Sequence, residues 1–180
     1  MKDCGTILSD KEMNRTLERL AFQVYERHGD SDSLAILGIQ RRGADLAERL
    51  KLLLDERLGR KVPLGKLDIN LYRDDWTTNL ELAPIINCSE IGFDIEGASI
   101  VLVDDVLFSG RTIRAALEAI LDYGRPKHVE LLVLVDRGNR ELPIQADYVG
   151  KKVETSGKEH VNVLVTERDD EDRVCLVEAD

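Results

Sequence analysis

The chain has 180 residues, of which 43% are hydrophobic and 33% charged, a size and balance that suit one compact domain with its own core and exclude a disordered or fibrous protein. Its net charge of −10 at pH 7 argues against a protein that coats nucleic acid with its whole surface. The longest apolar runs, such as residues 131 to 135, are far shorter than the roughly 20 residues that cross a bilayer, so neither a membrane helix nor a secretory signal is predicted.

The amino-terminal third of the chain predicts a helix, a strand and a second helix. Ser9 and Glu12 have the spacing of a capping box, and the apolar residues that follow recur at helical spacing until Gly29. Residues 34 to 39 form an apolar run of strand length. A polar loop, residues 40 to 43, separates this strand from the next helical stripe.

The next part of the chain predicts a strand and then a long irregular segment. Leu67, Ile69 and Leu71 alternate with polar residues, which predicts a strand with two unlike faces. Residues 73 to 96 show no sustained period, contain a proline and exceed the usual length of a connection. This segment is interpreted as an active-site lid or a mobile hairpin.

The centre of the chain predicts two buried strands on either side of a helix. Residues 100 to 103 and 129 to 135 are apolar runs, and a helical stripe that ends at Gly124 lies between them. This alternation of apolar strands and amphipathic helices predicts right-handed βαβ units and a parallel sheet covered on both faces.

The remainder of the chain, after Asp136, changes pattern. A short segment at residues 146 to 149 is followed by alternating strands at 160 to 165 and 174 to 177. With neither a repeat nor a linker, the sequence predicts a single domain over residues 1 to 180.

The number and spacing of the cysteines indicate the redox environment in which the protein acts. Cys4, Cys88 and Cys175 are odd in number and widely spaced, which argues against a disulfide framework or a cysteine zinc site and favours a reducing cytoplasm.

The segment from Val101 to Thr112 carries the clearest chemical signal. Its sequence is VLVDDVLFSGRT, which predicts a buried strand that ends in Asp104 and Asp105 and continues through a short turn into a helix. The free N–H groups and the dipole at the helix start favour a phosphate there, while the carboxylates suit sugar hydroxyls or a divalent cation. A phosphorylated ribose carries both the phosphate and the sugar hydroxyls that these groups would bind. The alternative interpretation of the segment is a strand end followed by a capped helix with no ligand.

The same segment resembles the 5-phosphoribosyl 1-diphosphate (PRPP) signature of type I phosphoribosyltransferases, and it lacks the GxxxxGK[ST] and GxGxxG patterns of other nucleotide sites. The segments LGIQRRGADLAERL, LDINLYRDD and VDRGNRELPIQADYVGK are similar, in order and spacing, to the branch that combines uracil phosphoribosyltransferase activity with regulation of the pyrimidine operon. The resemblance covers essentially the whole chain. It implies an α/β fold with a central parallel sheet flanked by helices, a small hood and a flexible loop.

The resemblance also implies an activity, which is the formation of UMP and pyrophosphate from uracil and PRPP, with Mg²⁺ accompanying PRPP. Asp104 and Asp105 would bind the ribose hydroxyls and, indirectly, the metal. Arg73 would clamp the departing pyrophosphate from a flexible loop that includes Asp74 and Asp75. The residues that would contact PRPP are Gln40, Arg41, Arg42, Gly43, Asp104, Asp105, Val106, Leu107, Phe108, Ser109, Gly110, Arg111 and Thr112.

The loop before the second helix would bind the pyrophosphate of PRPP. Gly43 would let the backbone approach the ligand, and Arg42 would supply a planar, permanently charged donor. Outside the strand, loop and helix context, Arg41 and Arg42 would be interpreted as a solvated pair.

The base would be recognised by residues near the end of the predicted sheet. Arg137, Tyr148 and Val149 fall where related enzymes recognise the base, Tyr148 by ring packing and Val149 through its backbone. The alternative for Tyr148 and Val149 is that both belong to the sheet core.

The chain offers no nucleophile for covalent catalysis. His28, His128 and His160 lie in unrelated contexts with no cysteine or serine beside them, and they are interpreted as surface or internally satisfied histidines. This agrees with ribosyl transfer through an oxocarbenium-like centre, for which a protein supplies positioning, charge neutralisation and exclusion of water.

A second candidate function is an RNA-binding attenuator that senses UMP or UTP in the same pocket. Residues 154 to 180 contain nine acidic and three basic side chains, a net −6, so residues 1 to 153 carry only −4. Because of this distribution, the total charge says little about any one face. The first helix offers Arg15, Arg19 and Arg27 to single-stranded or looped RNA.

Four positions depart from the family pattern in ways that should weaken the binding of RNA. Two hold Glu and Phe where Thr and His are usual, and two hold Asn and Gln where His and Arg are usual. These positions are Glu18, Phe22, Asn139 and Gln145. The sequence therefore ranks catalysis ahead of attenuation.

A third interpretation is a purine phosphoribosyltransferase with the same PRPP site, which the sequence of residues 136 to 151 disfavours. The family resemblance further implies a homodimer or higher homo-oligomer with no membrane partner.

Overall fold

Two sheets form the framework of the computed structural model, which describes residues 2–29, 31–74, 88–156 and 159–178. The strands are β1 (Lys2–Leu8), β2 (Leu34–Ile39), β3 (Leu64–Leu67), β4 (Glu90–Ile91), β5 (Ser99–Leu107), β6 (His128–Asp136), β7 (Tyr148–Lys152), β8 (Glu159–Leu164) and β9 (Arg173–Glu178). The helices are α1 (Asp10–His28), α2 (Arg42–Leu58), α3 (Arg111–Leu121) and the short α4 (Thr166–Asp169), and Asn70–Tyr72 forms a 3₁₀ turn.

The larger sheet has the strand order β4-β3-β2-β5-β6-β7. All its neighbouring pairs are parallel except β3 with β4. The smaller sheet has the antiparallel order β1-β9-β8. The predicted α/β fold with a central parallel sheet is confirmed.

The core lies on both faces of the larger sheet. On one face α1 and α2 pack against the central strands, together with apolar side chains of the smaller sheet such as Val163 and Val174. On the other face α3 packs over β5 and β6. Leu20 and Leu50 are completely buried, and each such leucine stabilises the fold by about 2 kcal/mol. No helix in the described part of the chain is long and apolar enough to cross a membrane.

The predicted strand over Leu67, Ile69 and Leu71 is wrong after its first residue. Strand β3 ends at Leu67, and the chain then turns. The cause is Asp68, whose Oδ1 accepts the backbone N–H of Asn70 at 2.9 Å. This Asx-type bond gives the backbone a local partner in place of a neighbouring strand.

Strand β1 has no counterpart in the sequence prediction. Its residues, KDCGTIL, do not alternate in polarity, and its partner β9 lies at the far end of the chain. The central part of the predicted lid, residues 75 to 87, lies outside the described residues.

Candidate active site

The topology creates a crevice between β2 and β5. The chain leaves β2 through α2 towards β3 on one side, and leaves β5 through α3 towards β6 on the other. In open α/β sheets, ligands bind at such a switch point, outside the carboxyl ends of the strands. The two loops that the sequence singled out, residues 40 to 43 and 106 to 112, both begin there.

Two carboxylates lie near the carboxyl end of β5, those of Asp104 and Asp105. The strand continues beyond them to Leu107 instead of ending in them. Asp104 is 6% exposed, and its Oδ1 accepts the backbone N–H of Asp105 at 3.0 Å. Asp105 Oδ1 in turn accepts the N–H of Val106 at 2.7 Å. Both side chains are therefore held close together by backbone donors.

The pKa values of both carboxyl groups are raised. For Asp104 the main cause is burial, followed by the charge of Asp105. For Asp105 burial also dominates, while the Val106 N–H and the Arg42 charge act in the opposite direction. The pair therefore favours a partner that relieves its repulsion, such as a cation or a hydroxyl donor.

The turn after β5 leads directly into α3. Gly110 has a φ of +92° and precedes the first helical residue, Arg111. A Cβ at Gly110 would lie 3.3 Å from Cβ of Ile144. Ser109 Oγ accepts the Arg111 N–H at 3.3 Å, and the Ser109 carbonyl accepts the N–H groups of residues 141 and 142, each at 3.0 Å. The turn is thus pinned to the segment that follows β6.

Gly43 has a structural purpose that the sequence interpretation did not anticipate. A Cβ at this position would lie 2.6 Å from the Val103 carbonyl oxygen and 3.1 Å from Cα of Asp104. The absence of a side chain at Gly43 therefore lets α2 approach β5, and the approach of its backbone to a ligand stays a prediction. The preceding Gln40–Arg41 peptide bond is cis, and Arg41 is exposed.

Arg42 is already engaged with an acidic side chain. Its Nη2 lies 2.9 Å from Oδ1 of Asp169 on α4, and the same nitrogen donates to Oδ2 at 3.2 Å. Three further arginine and carboxylate contacts fix the α4 region to α2. They join Arg168 to Asp45 and Arg49 to both Glu167 and Asp172.

A cavity of about 150 Å³ lies beside the turn that joins β5 to α3. Its lining residues come from two segments and are Arg73, Asp74, Ser109, Arg111 and Thr112. Arg111 bridges two acids across it, since Nη1 donates to Asp74 Oδ2 at 2.7 Å and Nε donates to Glu141 Oε2 at 2.6 Å. The predicted loop residues Arg73 and Asp74 are thus beside the turn, while Asp75 lies outside the described residues.

The base of the loop is anchored to α3 by contacts that sequence reasoning missed. Arg114 Nη2 donates to the Tyr72 carbonyl at 2.7 Å, and the Tyr72 hydroxyl donates to Asp122. The Asp122 contact raises the pKa of Tyr72 to about 12. No motif marks these residues, because each is an ordinary polar residue of an amphipathic helix or turn.

Arg137 closes the crevice on the side of β6. It is 4% exposed, and its guanidinium carbon lies 3.9 Å from the centroid of the Phe108 ring, a cation–π contact. The backbone N–H of Arg137 donates to the Leu107 carbonyl at 3.0 Å. Its side-chain Nη1 donates to His160 Nδ1 at 3.4 Å. Burial lowers its pKa. Nε has no hydrogen-bond partner among the described residues.

Tyr148 lies away from this crevice. It begins β7, opposite Leu132 at the middle of β6, and its ring belongs to the hydrophobic core. Its hydroxyl donates to the buried Glu130 at 2.7 Å, which together with burial raises its pKa. The carbonyl of Val149 accepts weak contacts from Arg19 at 3.5 Å. The ring of Tyr148 thus matches the sheet-core alternative, while its packing on a base, and base contact through the Val149 backbone, stay predictions.

This fold, with paired carboxylates and a glycine turn at the switch point, defines the class of phosphoribosyltransferases. The chain belongs to this family, since residues 3–170 match the model of the phosphoribosyl transferase domain. More particularly, it belongs among the proteins named "Bifunctional protein PyrR". It is 51% identical to that of Pelotomaculum thermopropionicum over 177 residues, 98% of this chain and 97% of that protein. It is also 51% identical to that of Caldicellulosiruptor bescii over 180 residues, 100% of this chain and 98% of that protein.

Solved structures share the fold at much lower identity. A hypoxanthine-guanine phosphoribosyltransferase from Bacillus anthracis superposes with a TM-score of 0.72 at 17% identity, over 98% of this chain and 99% of the other. The hypoxanthine phosphoribosyltransferase of Trypanosoma cruzi gives 0.69 at 14% identity, over 97% of both chains. These likenesses establish the type I phosphoribosyltransferase fold.

Proposed function

We propose that the protein transfers the 5-phosphoribosyl group of PRPP to uracil and forms UMP and pyrophosphate. The observation that carries this proposal is the adjacent pair of the buried Asp104 and the partly buried Asp105, set beside a glycine turn and a helix start at the switch point. The 51% identity to proteins named "Bifunctional protein PyrR" supports the choice of this reaction over other chemistry on the same fold.

The sugar phosphate would bind along β5 and its turn. Asp104 and Asp105 would accept hydrogen bonds from the two ribose hydroxyls, and residues 106 to 112 would surround the 5-phosphate. The N–H groups at the start of α3 and the hydroxyls of Ser109 and Thr112 suit a phosphate group. Arg111 would exchange one of its present acidic partners for a phosphate oxygen.

A divalent cation fits the same end of β5. Two adjacent carboxylates with raised pKa values, one buried and one partly buried, are oxygen ligands whose repulsion a cation relieves. Asp104 and Asp105 would hold Mg²⁺ indirectly, through the PRPP that it accompanies. The bound ion would supply positive charge to the leaving pyrophosphate.

The pyrophosphate would lie over the loop after β2. Gln40, Arg41 and Gly43 would offer donors at the start of α2, with Arg41 exposed and unobstructed by the core. Arg42 would set the local charge from its position between Asp169 and Asp105.

The reaction requires no side-chain nucleophile. The bond from C1 of the ribose to the pyrophosphate oxygen breaks, and pyrophosphate leaves with the electron pair. Uracil N1 then bonds to C1 and releases its proton to the leaving pyrophosphate or to water. Arg73, beside the cavity at the turn, would neutralise the leaving group, and the loop that follows it would exclude water.

The base would lie against Arg137. This guanidinium is buried beneath Phe108, and its Nε has no partner among the described residues, so it can donate to a uracil carbonyl without losing another bond. Val149 would contact the base through its backbone.

A panel of bases tests the proposed reaction. With PRPP and Mg²⁺, nucleotide formation is followed separately for uracil, cytosine, hypoxanthine and guanine. We expect turnover with uracil alone. Turnover of hypoxanthine or guanine in preference to uracil would replace the proposal with a purine enzyme. No turnover of any base, in a protein that still binds PRPP, would reject catalysis.

We also propose, as a second function, a role in sensing UMP or UTP while bound to the leader RNA of a pyrimidine operon. The word "Bifunctional" in the names of the relatives supports it. The surface of α1 supports it less. Arg19 donates to the Gly150 carbonyl at 2.5 Å, Arg27 pairs with Glu130 at 2.9 Å, and Phe22 is 44% exposed. Two of the three arginines on α1 are thus engaged within the protein.

Binding of the chain to the leader RNA of its own operon, with and without UMP, separates the two roles. Weak binding that UMP does not change would leave catalysis alone. Tight binding that UMP strengthens would establish the regulatory role and overturn the ranking of catalysis ahead of it.

We further propose that the chain forms one domain, acts in the cytoplasm and assembles as a homodimer or higher homo-oligomer. The match of the family model to residues 3–170 supports the single domain, and the family resemblance supports the assembly.

A further inference from the structure

A second cluster of side chains that could bind a metal ion lies at the amino-terminal ends of the parallel strands, whereas the candidate active site lies at their carboxyl ends. His28 ends α1, while His128 and Glu130 lie at the start of β6. His28 is 6% exposed and Glu130 4%, whereas the His128 side chain is 41% exposed. One ligand atom of each side chain lies within 4.8 Å of the other two.

The three side chains converge with the geometry of a ligand set. His28 Nε2 lies 2.7 Å from Glu130 Oε2. His128 Nε2 lies 3.9 Å from Glu130 Oε1, which is too long for a hydrogen bond. The two imidazole rings are stacked, with centroids 5.9 Å apart and an interplanar angle of 25°. Both rings therefore direct Nε2 at one carboxylate.

The surroundings fix the carboxylate and leave space beside it. The Tyr148 hydroxyl donates to Glu130 Oε2 at 2.7 Å, and hydrogen bonds from such outer groups orient ligating carboxylates. A cavity of about 470 Å³ adjoins the cluster and is lined also by Ser31 and Asp147. Water can therefore complete the coordination shell.

Arg27 is the cation that now occupies part of this cluster. Its Nε lies 2.9 Å from Glu130 Oε1, and its side chain is 55% exposed. Asp147 Oδ1 lies 4.0 Å from Arg27 Nη1. An incoming ion at Oε1 can therefore displace Arg27 onto a second carboxylate at little electrostatic cost.

We propose that His28, His128 and Glu130 form a binding site for Zn²⁺ or a similar borderline divalent cation, completed by water. Two imidazoles, one carboxylate and an open position are a ligand set that zinc uses in proteins. The bound ion would connect the carboxyl end of α1 to the start of β6. The site does not share residues with the crevice and does not rest on the proposed enzymatic function.

The first test uses the metal-free full-length chain and two single variants. Zn²⁺ binding is measured by calorimetry, and Co²⁺ is used as a spectroscopic probe of the ligands. We expect one strong equivalent in the wild type. We expect His128→Asn to weaken it at least about tenfold, since even outer contacts of a metal site are worth that much. The matched control is His160→Asn, which removes another exposed histidine outside the cluster and should leave the affinity unchanged.

The second test uses the displaced cation. Arg27→Gln removes the competitor from Glu130 and should strengthen Zn²⁺ binding, the opposite direction from His128→Asn. Equal affinity in the wild type and His128→Asn would overturn the proposal, as would weaker binding in Arg27→Gln. A thiolate charge-transfer band with Co²⁺ would assign the ion to cysteine and would also overturn it.

Discussion

Arg42 and Asp169 join the first turn of α2 to α4, with Nη2 and Oδ1 2.9 Å apart. Asp169 Oδ2 also accepts the Val165 N–H at 2.9 Å. Burial opposes ionisation of Asp169, but the Val165 N–H and Arg42 outweigh it and lower its pKa. Arg42 in turn acts on the charge of Asp105. A carboxylate far along the chain thus sets the position of an arginine at the proposed pyrophosphate loop.

Asp169→Asn tests this relationship. We expect the KM for PRPP to rise several-fold, because Arg42 is no longer held, and the free energy of unfolding to fall by about 1 kcal/mol. Steady-state kinetics and urea unfolding measure the two effects. The matched control is Asp172→Asn, just after α4, which breaks the contact of Asp172 with Arg49 on α2. This variant should lower stability with no change in the KM for PRPP. An equal rise in both variants would contradict the role of Arg42.

Asp104→Asn should abolish activity and stabilise the ligand-free protein. Asparagine keeps the acceptor for the Asp105 N–H and removes a buried charge. At pH 7 we expect the variant to unfold at a higher urea concentration and a higher Tm than the wild type, because the repulsion between the two adjacent carboxyl groups is removed.

The same variant predicts a pH dependence. Burial raises the folded-state pKa of Asp104 above its ordinary value of 3.8. The wild type is therefore favoured by proton binding at low pH, and it loses that stability as pH rises through the raised pKa. The advantage of Asp104→Asn should grow from about pH 4 upwards and then level off, as followed by urea unfolding at each pH. An advantage that is constant with pH would mean that Asp104 is not the titrating group. A double variant with asparagine at both Asp104 and Asp105 that kept full turnover would refute the ribose role.

Arg73→Ala should lower kcat by about 100-fold with little change in PRPP affinity, because leaving-group charge develops mainly in the transition state. Turnover and equilibrium binding of PRPP are measured separately. Arg125→Ala, at the opposite edge of the sheet, is the control and should change neither. An unchanged kcat in Arg73→Ala would reject the assignment of Arg73 to the leaving group.

Glu141→Gln should tighten the binding of ribose 5-phosphate about two- to fivefold. Arg111 now divides its guanidinium between Glu141 and Asp74, and both are exposed ion pairs of modest strength. Removal of one acid leaves Arg111 more available to the phosphate. Glu118→Gln, which instead breaks a contact of Arg114, serves as the control. Weaker binding in Glu141→Gln would show that the acid positions Arg111 for the ligand.

The parts of the fold that local patterns specify were predicted well. Helix α1 follows from its capping box, in which the Ser9 N–H donates to Glu12 Oε2 at 2.9 Å, and β5 follows from its apolar run. The 3₁₀ turn after β3 was missed because one carboxylate, that of Asp68, overrides an alternating pattern.

The parts of the site that depend on distant partners were not predictable. Arg42 and Asp169 are 127 positions apart, and no periodicity connects them. For Tyr148 the sequence left both base packing and the sheet core open, and its contact with Glu130, 18 positions away, favours the core. His28 and His128 gave no sign in the sequence that a helix end and a strand start bring their rings together.

The contact of Gly43 with the Val103 carbonyl has a consequence for redesign. The close approach of Gly43 to the Val103 carbonyl and to Cα of Asp104 sets the gap between the two loops of the crevice, and Asp104 Oδ1 lies 3.2 Å from where a Cβ at Gly43 would be. The polar residues of either loop can therefore be exchanged to accept another sugar phosphate or another base while the gap stays the same. Gly43→Ala, by contrast, would push α2 away from β5 and widen the crevice, so a library that seeks new specificity should leave this single position fixed.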